Sequence, residues 1–461
     1  MQPIDKELLR EASGFIAERM GLHFPEERWP DLARGLKAAG PELGFGDPNS
    51  GARWLTTHAL TVRQIETLAS HLTVGETYFF RDPESFKTLE REILPPLVAC
   101  RAGAGRSLRL WSAGCCTGEE AYSLAITCAR ALPDIQSWNI SILATDINPK
   151  FLAKAEAGVY SEWSFRGASA WLRERFFTSA PEKKFVIDPL IRKMVHFDYL
   201  NLAEDAYPSL HNSTNAMDVI FCRNVLMYFT PEHQRRVAAA LHRCLVDGGC
   251  LLVNPAEASA SLFPMFTQED LGDVTVYRKT SQPIRSEPRP AYITPVAAPI
   301  APLPEPVFAV PRQAPIASVA SAPTVVPAAE SPHEDPLVLA RAYADQGRLE
   351  EALASCREAV AAERTDPAAH FLYAMICQEL GRAEETIAAL GKVLYLDQDF
   401  ILAHHALGGL YRRLGKQKES KRHLAVALDL LSAKSKEEIV PESDGMTCGR
   451  LVESVRALAG E

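Results

Sequence analysis

The sequence predicts an α/β protein with a helical N-terminal region, a mostly parallel, doubly wound sheet and an all-α array behind it. Three observations carry this prediction. Short apolar strands alternate with helical segments from Leu108 onward, glycines recur at a fixed spacing near the C-terminus, and a Pro-rich stretch separates the two. With 461 residues, the chain has room for two or three domains.

Up to about Thr73 the residues read as helices, with Leu8, Leu9, Phe15, Ile16 and Met20 on one face of the first. The strands that follow are LRLW, ISILATD, MVHFDYL, DVIFC and CLLV, and function in such a sheet sits at their carboxyl ends. From 281 to 334 the chain is rich in Pro, Ala and Val, a composition that builds neither helix nor sheet and reads as a spacer. As polyproline II, at ~3.1 Å per residue, it reaches on the order of 150 Å, and such a tether raises effective concentration.

Behind the spacer, Gly347, Gly381 and Gly415 recur at the 34-residue period of tetratricopeptide repeats. In the same phase Ala340, Ala374 and Gly408 share one crowded position, and Ala352, Thr386 and Ser420 another. Tyr343, Cys377 and Tyr411 occupy a larger one. Three repeats are about the minimum for a stable stack, and the segment after Pro441 reads as a cap. The predicted divisions are therefore 1–75 (helical), 76–280 (sheet domain), 281–334 (linker), 335–432 (repeats) and 433–461 (capping segment).

A net charge of -9 provides no general basic field for nucleic-acid phosphates. The N-terminus lacks the apolar core of a signal peptide, and no apolar run is long enough to cross a bilayer. Ten scattered cysteines show neither paired metal-ligand spacing nor a disulfide framework. A cytoplasmic protein with reduced thiols and no metal is expected.

The residues that carry chemistry follow the strands. The first ends in Trp111-Ser112-Ala113-Gly114-Cys115-Cys116-Thr117-Gly118-Glu119-Glu120, whose small residues admit a ligand close to the backbone. Its two carboxylates would repel a pyrophosphate and suit a cationic cofactor such as S-adenosylmethionine, with Glu119 holding the ammonium. Two acids are also simply favourable at a helix N-terminus. The second strand ends in Thr145-Asp146-Ile147-Asn148, where Asp146 is placed either to bind ribose hydroxyls or to cap the helix at Pro149. Asn201 and Leu202 follow the third strand, Arg223, Asn224 and Tyr228 the fourth, and Thr77 and Arg81 precede the sheet.

In order, GETYFFR, WSAGCCTGEEAYSLA, ATDIN, LNL and CRNVLMYF resemble the chemotaxis-receptor methyltransferases of the CheR type, from the N-terminal helices to about Lys279. The spacer and repeats resemble the long, WspC-like variant of that family. The resemblance implies a Rossmann-like methyltransferase domain, a small antiparallel sheet inserted within Lys183 to Phe197, and S-adenosylmethionine as cofactor. It also implies that the acceptor is a glutamate carboxylate on the cytoplasmic domain of a methyl-accepting receptor. The family's cofactor-contacting positions fall on Thr77, Arg81, Ala113, Glu119, Asp146, Asn201, Leu202, Arg223 and Asn224, and Arg81 and Tyr228 match positions near the transferred methyl. Gly75 stands where many relatives carry Asn, and Asp188-Pro189 where tether-binding members carry a glycine-bearing loop, which speaks against pentapeptide docking.

A carboxylate is ionised at pH 7 and needs no general base, which leaves Arg81 as a positioning device. Two other functions fit the same residues: methylation of a different acceptor, and a methyltransferase fold that has lost activity and works through its repeats.

Overall fold

A computed structural model describes residues 4–58, 60–101, 106–280 and 335–459. The stretch 281–334, read above as a spacer, lies outside the described residues.

Four helices come first: α1 (Lys6–Met20), α2 (Trp29–Ala39), α3 (Pro48–Thr57) and α4 (Val62–Leu72). Asp5 caps α1 by accepting the Glu7 N–H, and Thr61 with Gln64 forms a capping box on α4. The face of α1 buries Leu9, Ile16 and Met20 as expected, while Ala12, Ser13 and Ala17 complete it and Leu8 and Phe15 stay half-buried. Two further helices, α5 (Pro83–Thr88) and α6 (Leu94–Arg101), lead into the sheet.

The domain contains β1 (Ser107–Ala113), α7 (Glu119–Ala131), β2 (Asn139–Asp146), α8 (Pro149–Ala157), β3 (Val159–Ser161), α9 (Ala170–Phe176), β4 (Phe177–Ala180), β5 (Lys184–Ile187), α10 (Pro189–Lys193) and β6 (Val195–Tyr199). Then come β7 (Met217–Phe221), α11 (Pro231–Cys244), β8 (Leu245–Leu252), β9 (Thr267–Leu271) and β10 (Val274–Arg278). The seven-stranded sheet runs β6-β2-β1-β7-β8-β10-β9, parallel through β8 and antiparallel beyond it. Every residue of β1 and β7 is buried, because helices cover both faces. Successive strands step away from β1 in opposite directions, so a crevice opens above β1 and β7 at their carboxyl ends.

The inserted sheet differs from the sequence expectation. It is β3-β5-β4, spanning 159–187, and β6 belongs to the main sheet instead. Asp188-Pro189 makes no hairpin: Asp188 caps α10 by accepting the Leu190 N–H, and Pro189 fits the first helical turn, where no N–H is needed. The hairpin turn lies at Glu182-Lys183, two non-glycine residues with φ of +58° and +54°.

The repeats are α12 (Pro336–Asp345) with α13 (Leu349–Ala362), α14 (Pro367–Glu379) with α15 (Ala383–Leu396), and α16 (Ile401–Arg413) with α17 (Gln417–Ser432), closed by α18 (Cys448–Ala459). Gly347, Gly381 and Gly415 adopt φ of +71°, +73° and +74° between the paired helices. The crowded positions are real: Ala340, Ala374, Ala352 and Thr386 are fully buried, and a Cβ on Gly408 would lie 2.5 Å from Leu424. The array does not stand apart from the sheet domain. Leu210, between β6 and β7, shares one apolar cluster with Ala340, Ala344, Leu372 and Ile376.

Candidate active site

A cleft open to solvent lies between the segment after α1 and the carboxyl ends of β1, β2, β6 and β7. It brings together Thr77, Arg81, Asp146, Asn201, Leu202, Arg223, Asn224 and Tyr228, drawn from stretches far apart in sequence. Ala113 ends β1, fully buried just before the loop that lines the cleft, and is not part of the wall.

Two positions of the loop after β1 have no room for a side chain. Gly114 has φ +81°, and a Cβ there would lie 2.4 Å from Val225; Gly118 has φ +91°, and its Cβ would meet Ala155 at 2.8 Å. Of the two acids that open α7, the structure turns Glu119 away from the cleft. Glu119 is buried and accepts the hydroxyls of Thr117 at 2.6 Å and Ser164 at 2.9 Å. Glu120 lines the cleft, accepts the Ser112 hydroxyl at 2.7 Å and lies 3.5 Å from Arg223. Burial raises the Glu120 carboxyl above its usual range, and Arg223 opposes this. Adjacent helical residues point about 100° apart, so the sequence pattern does not choose between them.

At the end of β2, Asp146 accepts the backbone N–H groups of Cys116 at 2.9 Å and Asn148 at 2.8 Å. Burial pushes its carboxyl up to about 6 against these bonds. The helix cap is supplied by its neighbour: Asn148 caps α8, accepting from Lys150 and Phe151, and Asp146 faces the cleft. Each of its oxygens keeps a lone pair for a hydroxyl donor.

Asn201 is held by three bonds. Its amide donates to Arg19 O at 2.8 Å and Glu204 at 3.0 Å, and its oxygen accepts from Ala203 at 3.1 Å. Arg223 is buried, donates to Arg81 O and to Asp82, both at 3.0 Å, and keeps its Nε without a partner among the described residues. Arg81 is half-exposed and donates to Glu76 O at 2.6 Å. Tyr228 is half-buried, with Arg28 5.7 Å from its ring centre and its carbonyl accepting the His23 N–H at 2.6 Å. The N-terminal domain thus supplies a wall of the cleft, including His23, Phe24 and Arg28.

Sequence reasoning missed Glu257. This buried carboxylate accepts the N–H groups of Asn224 at 2.7 Å, Val225 at 2.8 Å, Met227 at 3.1 Å and Asn254 at 3.2 Å, fixing the loop that carries Asn224 and Tyr228. Only the triplet Asn254-Pro255-Ala256 before it, which begins a capped turn, hinted at it in the sequence. Gly75 also has its counterpart, since a Cβ there would lie 2.7 Å from the end of Phe151.

Two acids at the cleft wall, the half-buried Glu120 and the buried Asp146, with a glycine cradle between them suit a ligand with a cationic group and free hydroxyls. Comparison with known proteins agrees. Residues 75–271 match the family model described as CheR methyltransferase, SAM binding domain, and 343–410 match a tetratricopeptide repeat model. The "Probable biofilm formation methyltransferase WspC" of Pseudomonas aeruginosa is 31% identical over 372 residues, 78% of this chain and 84% of that one. A "Probable chemotaxis protein methyltransferase" of Rhizobium etli is 34% identical over 219 residues, 47% of this chain and 78% of that one. An "Uncharacterized 104.1 kDa protein in hypE 3'region" of Rhodobacter capsulatus is 34% identical over 249 residues, 52% of this chain and 25% of that one. The chain belongs to the CheR family of S-adenosylmethionine-dependent methyltransferases, in a form that carries tetratricopeptide repeats.

Proposed function

We propose that this methyltransferase esterifies glutamate side chains on the cytoplasmic domain of a methyl-accepting chemotaxis-type receptor. When bound, S-adenosylmethionine supplies a sulfonium-linked methyl group as electrophile. Asp146 is assigned to its ribose hydroxyls, Glu120 to its ammonium in place of Glu119, and Thr77, Asn201, Leu202, Arg223 and Asn224 to the remaining contacts.

The observation that carries the acceptor is the chemistry of the cleft mouth. Arg81, half-exposed, and Tyr228 both line the cleft, while burial holds the two thiols there in their neutral form, Cys115 well above its usual range and Cys116 at about 12. A carboxylate acceptor is already ionised and is oriented by a guanidinium, so neither a thiolate nor another base is required. Arg81 stabilises the charged reactant more than the charge-dispersed transition state and therefore works by alignment. The apolar side chains in the wall, Met20, Leu22, Phe24, Phe151 and Phe229, solvate charge poorly, which favours a reaction that consumes opposite charges.

Among the described residues no helix is long and apolar enough to cross a membrane. We place the enzyme in the cytoplasm, meeting the receptor's cytoplasmic helices.

The test is to incubate the protein with methyl-labelled cofactor and receptor cytoplasmic fragments from the same organism. Label released as methanol by alkali, mapped to glutamates, is the expected result. Alkali-stable label would favour another acceptor, and cofactor binding without transfer to any fragment would favour a non-catalytic role.

A further inference from the structure

The face of the array formed by α12, α14 and α16, the first helix of each repeat, is turned toward the sheet domain and filled by it. Glu379, the last residue of α14, pairs with Arg109 of β1, and both side chains are about 5% exposed. The second Glu379 oxygen accepts the Ser213 hydroxyl at 2.9 Å, and its backbone carbonyl accepts the Asn139 amide at 3.0 Å. Arg109 spends its remaining terminal nitrogen on Ser213 O at 2.9 Å and Asn215 O at 3.2 Å. Without Glu379 the buried Arg109 would keep only Asp218 as an opposing charge; burial already lowers its pKa to about 10, and Asp218 opposes this.

The segment 207–215 lies along the same face. Leu210 enters the cluster of Ala340, Leu372 and Cys377, His211 stacks on Phe371 with ring centres 5.6 Å apart and bonds Glu442 O at 2.6 Å, and Asn215 reaches Ala344 O at 3.5 Å. Two of the three repeat glycines press on the sheet domain as well: a Cβ on Gly347 would lie 3.0 Å from Val246, and one on Gly381 3.1 Å from Asn139. Gly415, at the third repeat, meets nothing within 4 Å.

We infer that the inner face of the repeats is an interaction surface whose ligand is the chain's own 207–215 segment, locked by the Glu379–Arg109 pair, so that the array is a fixed cap on the sheet domain. Its chemistry is specific. The groove takes an apolar side chain followed by an imidazole, and returns a carboxylate to a buried guanidinium beyond it. Another protein reaches this face only by displacing 207–215, which strands Arg109 and uncovers Leu210. Partners of the assembled enzyme therefore bind elsewhere on the array. This reading is independent of the acceptor proposed above.

The experiment places a specific protease site within residues 283–334 of the full chain and cuts it after folding. The two pieces are expected to co-elute on size exclusion at sub-micromolar concentration and to separate when the cut chain carries Glu379→Ala. Separation of the unsubstituted pieces overturns the inference. Because the substituted chain risks misfolding, hydrogen exchange on the uncut, unsubstituted protein is the second arm. The backbone amides of 209–211 and 213–215 should exchange at least 100-fold slower than in the isolated peptide. Exchange at the peptide's rate overturns the inference equally.

Discussion

β1 and β7 have a polar environment at both ends, and the two ends are used in opposite ways. At the amino ends, Arg109 and Asp218 are consumed within the chain: Asp218 binds Arg101 at 2.6 Å and the Arg109 N–H at 2.9 Å, and Arg109 holds Glu379. At the carboxyl ends, Gly114 leaves bare backbone, and Asp146, Glu120 and Arg81 line an open cleft. One end is a closed interface and the other is prepared for a ligand. The same types of residue therefore mean packing or ligand binding according to whether they face another part of the chain or an open cleft.

The largest effect should come from breaking the closed end. Glu379→Ala leaves a buried guanidinium unpaired and should cost about 3–5 kcal/mol, read as an early transition in thermal unfolding of the full chain. Replacing the pair together, Arg109→Met with Glu379→Leu, should recover only part of this. The carbonyls of Ser213 and Asn215 lose their donor along with the charge.

Next comes the open end. Arg81→Ala should lower turnover about 100-fold while leaving cofactor affinity within a few-fold, because Arg81 aligns the acceptor. Single-turnover methyl transfer at saturating cofactor measures it. Unchanged turnover would remove Arg81 from the site.

The open end should also respond to pH. Burial raises Asp146 to about 6 from an unfolded value of 3.8, so between about pH 4 and 6 the native state binds the extra proton. Its contribution to stability is therefore lost as pH rises through that window. Ligand binding runs the other way, since the carboxylate is the form with full accepting capacity. The Kd of S-adenosylhomocysteine should rise about tenfold from pH 7 to pH 5, and Asp146→Asn should flatten the profile. Asp198 is also raised to about 6 by burial, and Arg412 and Arg413 of the array oppose its shift; it retains its proton dependence in the Asp146 variant and serves as the control.

The contrast between the ends also explains what was legible. Apolar strands alternating with helices, the glycines at 34-residue spacing and the motif order give the fold class and most of the cleft, because each is a local signal repeated along the chain. Glu119 against Glu120 was not legible, since both sit at a helix start and the hydroxyl of Ser164, some forty-five residues away, is one of the two that hold Glu119 inward. Asp188-Pro189 was misread because a helix cap and a turn share those residues. Glu257 and the docked array were invisible because their partners lie far off: Glu257 about thirty residues from its loop, Glu379 more than two hundred from Arg109.

The two ends meet at one point, and the smallest expected effect lies there. Arg450 of α18 binds Glu204 at 2.7 Å, and Glu204 also accepts from Asn201 at the cleft. The pair is close to 30% exposed on both sides, so solvent screens it, and the coupling should be worth well under 1 kcal/mol. Arg450→Ala should therefore weaken S-adenosylhomocysteine about twofold by calorimetry, and Glu204→Gln by a similar factor. The double variant should be no weaker than either alone, because both act through Asn201. Additive losses would mean that the array touches the cofactor site by a second route.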